Sequence, residues 1–260
     1  MRTVPRRRAR RPRPPAVPAA SSVAATILAA SVLAASCSSG GPAAPDATGP
    51  AGGTEGQPAG VSCSYPDSGS PARPVERPES LGVPATGTLP VTLRTSAGEI
   101  GVTLDRASAP CAVHSLVSLA RQKFYVHTPC HRLTTPPATV FLLQCGDPTG
   151  TGAGGPGYAV QDEPPSGLAT APGARGMVVY PRGTVALSNH GVPDSGGSQF
   201  FLVYRDSPLP PTYSVLGRVD AASLPVLDAI AAADTDGASS PGDGHPLEPV
   251  MLRAIVLPAG

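Results

Sequence analysis

Thr139-Val140-Phe141-Leu142-Leu143-Gln144 is a short apolar run rich in β-branched and aromatic side chains, and it stops at Cys145-Gly146. Its length and composition read as a buried strand. Glycines crowd the next stretch, from Gly146 to Gly157, so a long loop follows it. Further strands are read at 183–188, 198–204, 214–219 and 250–257. Upstream, residues 89–95 and 100–104 alternate in polarity around Ser96-Ala97-Gly98-Glu99, which predicts a hairpin. Pro110 occupies a plausible first helical position, and Val113, Leu116, Val117 and Ala120 mark one helical face. A second helix is read over 224–233, with Pro225 near its start. Many short strands, turn signals between them and two helices predict a mainly β fold: a closed antiparallel barrel capped by the helices. No internal repeat is visible.

Composition agrees. The 260 residues include 34 Pro and 30 Gly, so no stretch is long enough for a helical bundle. The glycines have no three-residue period, which excludes a collagen-like chain. The net charge of +1 hides an asymmetry. Seven arginines and no acid lie in residues 1–36, leaving 12 basic against 18 acidic residues in the remainder. A body this acidic does not suit a nucleic-acid binder, which needs lysine and arginine for the phosphates.

The arginine block is followed by 13 apolar or small residues, Val23 to Ala35, too short to span a bilayer comfortably. A basic region, a short apolar region and small residues have the layout of a secretory signal. Leu33-Ala34-Ala35-Ser36-Cys37 resembles a bacterial lipobox, in which Cys37 carries lipid. The expected layout is therefore a signal over 1–36, a tether over 37–87 rich in Gly, Pro, Ala and Ser, and a folded domain over 88–260. The chain is expected to be exported, anchored by its lipid to the outer face of a bacterial cell membrane, and monomeric. Val61-Ser62-Cys63-Ser64-Tyr65 departs from the tether composition, as if pinned to the domain.

Cys63, Cys111, Cys130 and Cys145 remain once Cys37 is set aside. Outside the cytosol an even number reads as two disulfides, with three pairings open. No C-x-x-C is present, which argues against both a zinc site and a thiol oxidoreductase. Gly150-Thr151-Gly152-Ala153-Gly154-Gly155 matches G-x-G-x-x-G, but no helix follows it, so a dinucleotide loop is rejected. Gly197-Ser198-Gln199 is not a nucleophile elbow.

What remains is a set of polar residues among apolar ones. Leu142 shares a strand face with Gln144, Phe141 with Leu143, and Gln199 with Phe201, because side chains alternate along a strand. Arg132, Gln144 and Gln199 around an apolar cup contain no nucleophile and no acid–base pair. They suit recognition of a peptide, with a ring in the cup and carbonyls on the amides.

At these residues the chain resembles the cyclophilins. The resemblance is carried by Phe124-Tyr125, by Cys130-His131-Arg132-Leu133, by Phe141-Leu142-Leu143-Gln144-Cys145-Gly146-Asp147 with the glycine loop at 150–158, and by Ala186-Leu187-Ser188-Asn189 followed by Gly197-Ser198-Gln199-Phe200-Phe201. It runs in order over about residues 88–257. It implies a closed eight-stranded barrel capped by two helices, and peptidyl-prolyl cis–trans isomerisation without cofactor or metal. Arg132 matches the family's catalytic arginine. Phe141, Leu142 and Phe201 match the proline pocket, and Leu209 a wall of it. Gln144 and Gln199 match the two glutamines, and Ser188 and Asn189 a backbone-binding segment. Tyr213 falls where many members have histidine. The partners implied are proline-containing polypeptides. A non-catalytic proline-peptide-binding chaperone or scaffold is the second reading, favoured by the eight residues, 133–140, between Arg132 and Phe141.

Overall fold

In the computed structural model, residues 60–259 are described. The expected signal segment and Cys37 lie outside the described residues. A hairpin, β1 (Thr88–Thr95) and β2 (Gly98–Asp105), leads into helix α1 (Pro110–Arg121). Then come β3 (Thr128–Pro129), β4 (Arg132–Thr134), β5 (Leu142–Cys145), β6 (Val178–Tyr180), β7 (Thr184–Leu187), β8 (Phe200–Val203), β9 (Ser207–Leu209) and β10 (Val215–Val219). Helix α2 (Leu224–Ala232), β11 (Asp243–Gly244) and β12 (Met251–Val256) close the described chain.

The expectation of a closed eight-stranded barrel needs correction. Ten strands form an open ladder in the order β11-β4-β5-β8-β7-β10-β2-β1-β12-β3, and β6 pairs with β9 in a separate ribbon. All pairings are antiparallel. β3 and β4 are consecutive pieces of one segment, with Cys130 and His131 between them, and they pair with β12 and β5 in turn. The ladder ends on the two-residue strands β11 and β3, which pair with β4 and β12 and not with each other.

Several core strands are buried on both faces. In β8, Phe200 and Leu202 join the main core, whereas Phe201 and Val203 join a second cluster on the opposite face. β5 divides the same way: Leu143 faces the main core and Leu142 the second cluster. This is why 141–144 and 200–203 read as continuous apolar runs rather than alternating ones. The main core is closed by the buried face of α1, with Cys111, Ala112, Val113, Leu116, Val117 and Leu119, and by Leu227 and Ile230 of α2.

Helix α1 starts at Pro110, where the ring's fixed φ suits a first turn. Ala109 offers no capping side chain. The carboxylate of Glu163 accepts instead from the Cys111 and Ala112 N–H groups, at 3.0 and 2.9 Å. A carboxylate there also complements the helix dipole.

Residues 60–87, expected to belong to the tether, pack as a strap on the domain, so the packed unit begins before residue 88. The four cysteines form two disulfides, Cys63–Cys111 and Cys130–Cys145. The first pins the strap to α1. Val61 and Val83 pair with each other, the Tyr65 hydroxyl donates to the Cys111 carbonyl, and Arg73 donates to the carbonyls of Phe124, Val126 and His127. A Gly-, Pro- and Ser-rich segment thus gains order from a crosslink, from backbone pairing and from the few apolar side chains, Tyr65 and Val83 above all, that it buries in the main core. Among the described residues, no helix is long and apolar enough to cross a membrane.

Candidate active site

Pairing across four strands puts Arg132 opposite Gln144, Gln144 opposite Phe201, and Phe201 opposite Ala186. Directly opposed residues in a ladder share a face. One row therefore carries a guanidinium, an amide, an aromatic ring and a small residue, side by side on the face away from the main core.

The apolar end of the row is the second cluster. Leu142, Phe201, Ala186, Val203 and Tyr180 are buried there, with Leu209 and Tyr213 partly buried against them. The β6–β9 ribbon supplies Tyr180 and Leu209. Phe201 and Tyr213 meet edge to face at 5.3 Å between centroids, and Tyr180 meets both rings at 6.4 and 6.2 Å. The Tyr180 hydroxyl donates to the Pro210 and Tyr213 carbonyls and accepts from the Tyr213 N–H. Burial pushes that hydroxyl up to about 12, so it stays a donor at physiological pH. Tyr180 was missed in the sequence, and Ala186, though part of the matching motif, was given no place in the cup. Tyr180 lies in a three-residue strand too short to give an alternation signal.

The polar end opens into a groove of about 330 Å³, lined by Arg132, Gln144, Ser188, Asn189, Gln199 and Tyr213. A directed chain of hydrogen bonds crosses it. Arg132 Nη1 approaches Gln144 Oε1 at 3.4 Å. Gln144 Nε2 donates to Gln199 Oε1 at 2.9 Å and to Ser188 Oγ at 3.2 Å. Gln199 Nε2 donates to the carbonyls of Gly152 and Gly154 at 2.8 and 3.0 Å. Both amide N–H groups of Gln144 are thus engaged within the protein, and its carbonyl faces Arg132. Asn189 donates to the Thr212 carbonyl and accepts from the Gly191 N–H, which holds the 189–191 turn.

Phe141 is not brought to this cluster. It precedes Leu142 and lies on the other side of the strand, partly buried against the main core. Its ring meets Tyr204 edge to face at 5.9 Å, with Arg205 4.5 Å above it. The residues expected to gather here do so with that one exception. The segment 133–140 does not displace Arg132, because Ala138 N–H closes a turn onto the Thr135 carbonyl and Arg132 stays in register with Gln144.

Two carboxylates with no role assigned from the sequence organise the rim. Asp243 takes the Nε and Nη2 edge of Arg132, each at 2.8 Å. These hydrogen bonds raise the guanidinium further above its ordinary value. Asp147 is fully buried at the start of the glycine loop. It accepts from Thr149 N–H and Oγ1 and from the N–H groups of Gly152 and Gly154. Burial alone would raise its carboxyl, but these donors overcome that and hold it below the ordinary range. A side chain at Gly154 would collide with this carboxylate. No group of three or more His, Cys, Asp and Glu residues suited to hold a metal ion occurs among the described residues.

Residues 90–256 match the family model described as cyclophilin type peptidyl-prolyl cis-trans isomerase/CLD. A probable peptidyl-prolyl cis-trans isomerase B of Mycobacterium tuberculosis is 45% identical over 202 residues, covering 76% of this chain and 64% of that protein. Its Mycobacterium leprae counterpart is 44% identical over the same length, covering 76% and 67%. A Cryptosporidium parvum cyclophilin crystal structure superposes with a TM-score of 0.53 at 23% identity, covering 67% of this chain and 99% of that one. A second crystal structure of that cyclophilin, in the presence of the dipeptide Ala-Pro, gives 0.51 at 23% identity, with coverage of 66% and 99%. The chain spans 64% of the length of the M. tuberculosis relative, and by the family match over most of its folded part it belongs to the cyclophilin-type peptidyl-prolyl cis-trans isomerases.

Proposed function

We propose that the protein accelerates rotation about X-Pro bonds in exported polypeptides. The observation that carries this is the single row joining Arg132, Gln144 and Phe201. It sets a permanently charged donor at the rim of an apolar cup of a kind that suits a pyrrolidine ring. Further support comes from the names of the mycobacterial relatives and from the Cryptosporidium cyclophilin structure in the presence of the dipeptide Ala-Pro.

Amide resonance sets a rotation barrier of ~18–20 kcal/mol. In the twisted transition state the prolyl nitrogen becomes pyramidal and gains a lone pair. Of the five N–H groups of Arg132, two are held by Asp243 and one leans on Gln144. The other two, one on Nη1 and one on Nη2, have no partner among the described residues and can donate to that lone pair. The ground-state nitrogen is a poor acceptor, so the bond strengthens only in the transition state and lowers the barrier. Leu142, Phe201, Leu209 and Tyr213 hold the ring, while Ser188, Asn189 and Gln199 line the path of the flanking chain. Removing one such donor costs roughly 2.7–4 kcal/mol, or about 10²–10³ in rate. Arg132→Ala is expected to lose that much turnover on an Ala-Pro tetrapeptide. Peptide binding by the wild-type chain with no rate enhancement would select the non-catalytic chaperone reading instead.

The same proposal has the chain working as a monomer at the outer face of the cell membrane, held by lipid on Cys37. It rests on the arginine block, the short apolar run and the lipobox-like residues 33–37. Cys37→Ala should move the protein from the membrane to the soluble fraction. Unchanged membrane association would rule out this anchor.

A further inference from the structure

The guanidinium of Arg132 is gripped along one edge by a carboxylate from a distant turn. Asp243 Oδ1 and Oδ2 accept from Nε and Nη2 at 2.8 Å each, a fork-to-fork pair across 111 positions of sequence. The turn is built to bring the carboxylate there. β11 pairs Asp243 with Thr134 and Gly244 with Leu133, so Arg132 is the diagonal neighbour of Asp243 on β4. The Gly242 carbonyl accepts from the Thr135 N–H at 2.8 Å. A side chain at Gly242, which has φ +76°, would run into the Thr135 carbonyl. Within the turn, Asp236 accepts from the N–H groups of Ala238 and His245 at 3.0 and 2.8 Å.

We propose that Asp243 is a positioning residue for catalysis: it fixes the roll of the Arg132 guanidinium so that the two remaining N–H groups face the prolyl nitrogen. This rests on the catalytic reading of Arg132. The Arg132 side chain is 41% exposed, and partly exposed ion pairs contribute little to stability. The bidentate geometry instead confers direction. Without it, the guanidinium keeps one 3.4 Å contact, with Gln144, and a long flexible side chain is free to rotate out of the groove. Asp243 also occupies the edge of the fork that could otherwise capture a substrate carboxylate.

The test is a double-mutant cycle on the full chain, with kcat and KM separated on an Ala-Pro tetrapeptide. Asp243→Asn keeps the shape, Asp243→Ala removes the acceptor, and each is combined with Arg132→Ala. Misplacing a reacting group by about 1 Å can cost up to ~10²-fold, so kcat should fall about tenfold or more in Asp243→Ala while KM stays within about twofold. In the Arg132→Ala background the Asp243 substitutions should add nothing. The Arg132 Nε proton, bonded to a carboxylate in the wild type, should move upfield and exchange faster in both Asp243 variants. Unchanged kcat in both of them overturns the proposal, as does a loss that persists undiminished in the Arg132→Ala background, which would mark a purely structural role. Wild-type turnover in Arg132→Ala alone would instead bring down the catalytic reading on which the proposal stands.

Discussion

The two walls of the groove are held by different means. On the Arg132 side, the working side chains stand on β4, β5 and β8, and the ladder positions them through repeated backbone hydrogen bonds. On the other side, the loop from Asp147 to Ala159 joins no part of that ladder. It rests on one buried carboxylate, on the Gln199 amide, and on the strap, where Ser68 and Ala72 donate to the Gly157 and Gly155 carbonyls and Ala159 donates to that of Pro66. Load shared among many equivalent bonds makes a wall insensitive to single changes. A wall hung from a few distinct ties should fail sharply when one is cut.

Of those ties the covalent one should matter most. Cys63–Cys111 closes a separation of 48 residues, Cys130–Cys145 one of 15. On the chain-entropy account a crosslink stabilises by restricting the unfolded state, by about 4 kcal/mol for the longer loop and about 3 kcal/mol for the shorter. Replacing each pair by alanines and measuring denaturant unfolding should rank them in that order. Loss of the first pair should also raise KM, because the strap backs the 155–159 segment. An equal or reversed ranking would break the comparison, since the loop wall would then not depend on its crosslink.

What the sequence disclosed follows the same division. The hairpin, both helices and the central strands announce themselves by periodicity and by prolines at helix starts. Gln144 and Phe201 were legible as polar and apolar neighbours in short strands, and Arg132 from its likeness to the family motif. Of the strap only residues 61–65 were legible, as a stretch pinned to the domain, which the Cys63–Cys111 bridge bears out; the rest has the Gly, Pro and Ser composition of a tether and is ordered by backbone pairing and by the burial of Val83. β3 and β11 have two residues each, too few for any period. Asp243 lies between two glycines in an unremarkable turn, and nothing local ties it to a residue 111 positions earlier. Phe141 illustrates the opposite error: likeness to a family motif assigned it to the cup, while the alternation of its own strand had already set it opposite Leu142 and Gln144.

The smaller test of the loop wall is Asp147. Its carboxylate is fully buried and is met by three backbone N–H groups and the Thr149 hydroxyl. Asp147→Ala would leave those donors without an acceptor, at a cost of about 2–3 kcal/mol. The same change frees the loop carbonyls that orient Gln199, so KM should rise while kcat, set by the ladder wall, is preserved. The titration has a definite sign. The folded carboxyl lies below its ordinary value near 3.8, so its contribution is present above that value and is lost as pH falls through the lower, folded one. Wild-type stability should therefore drop on acidification below about pH 4 more steeply than that of Asp147→Ala. Parallel acid profiles for the two proteins would mean that the loop is held by its glycine backbone and the strap rather than by this charge.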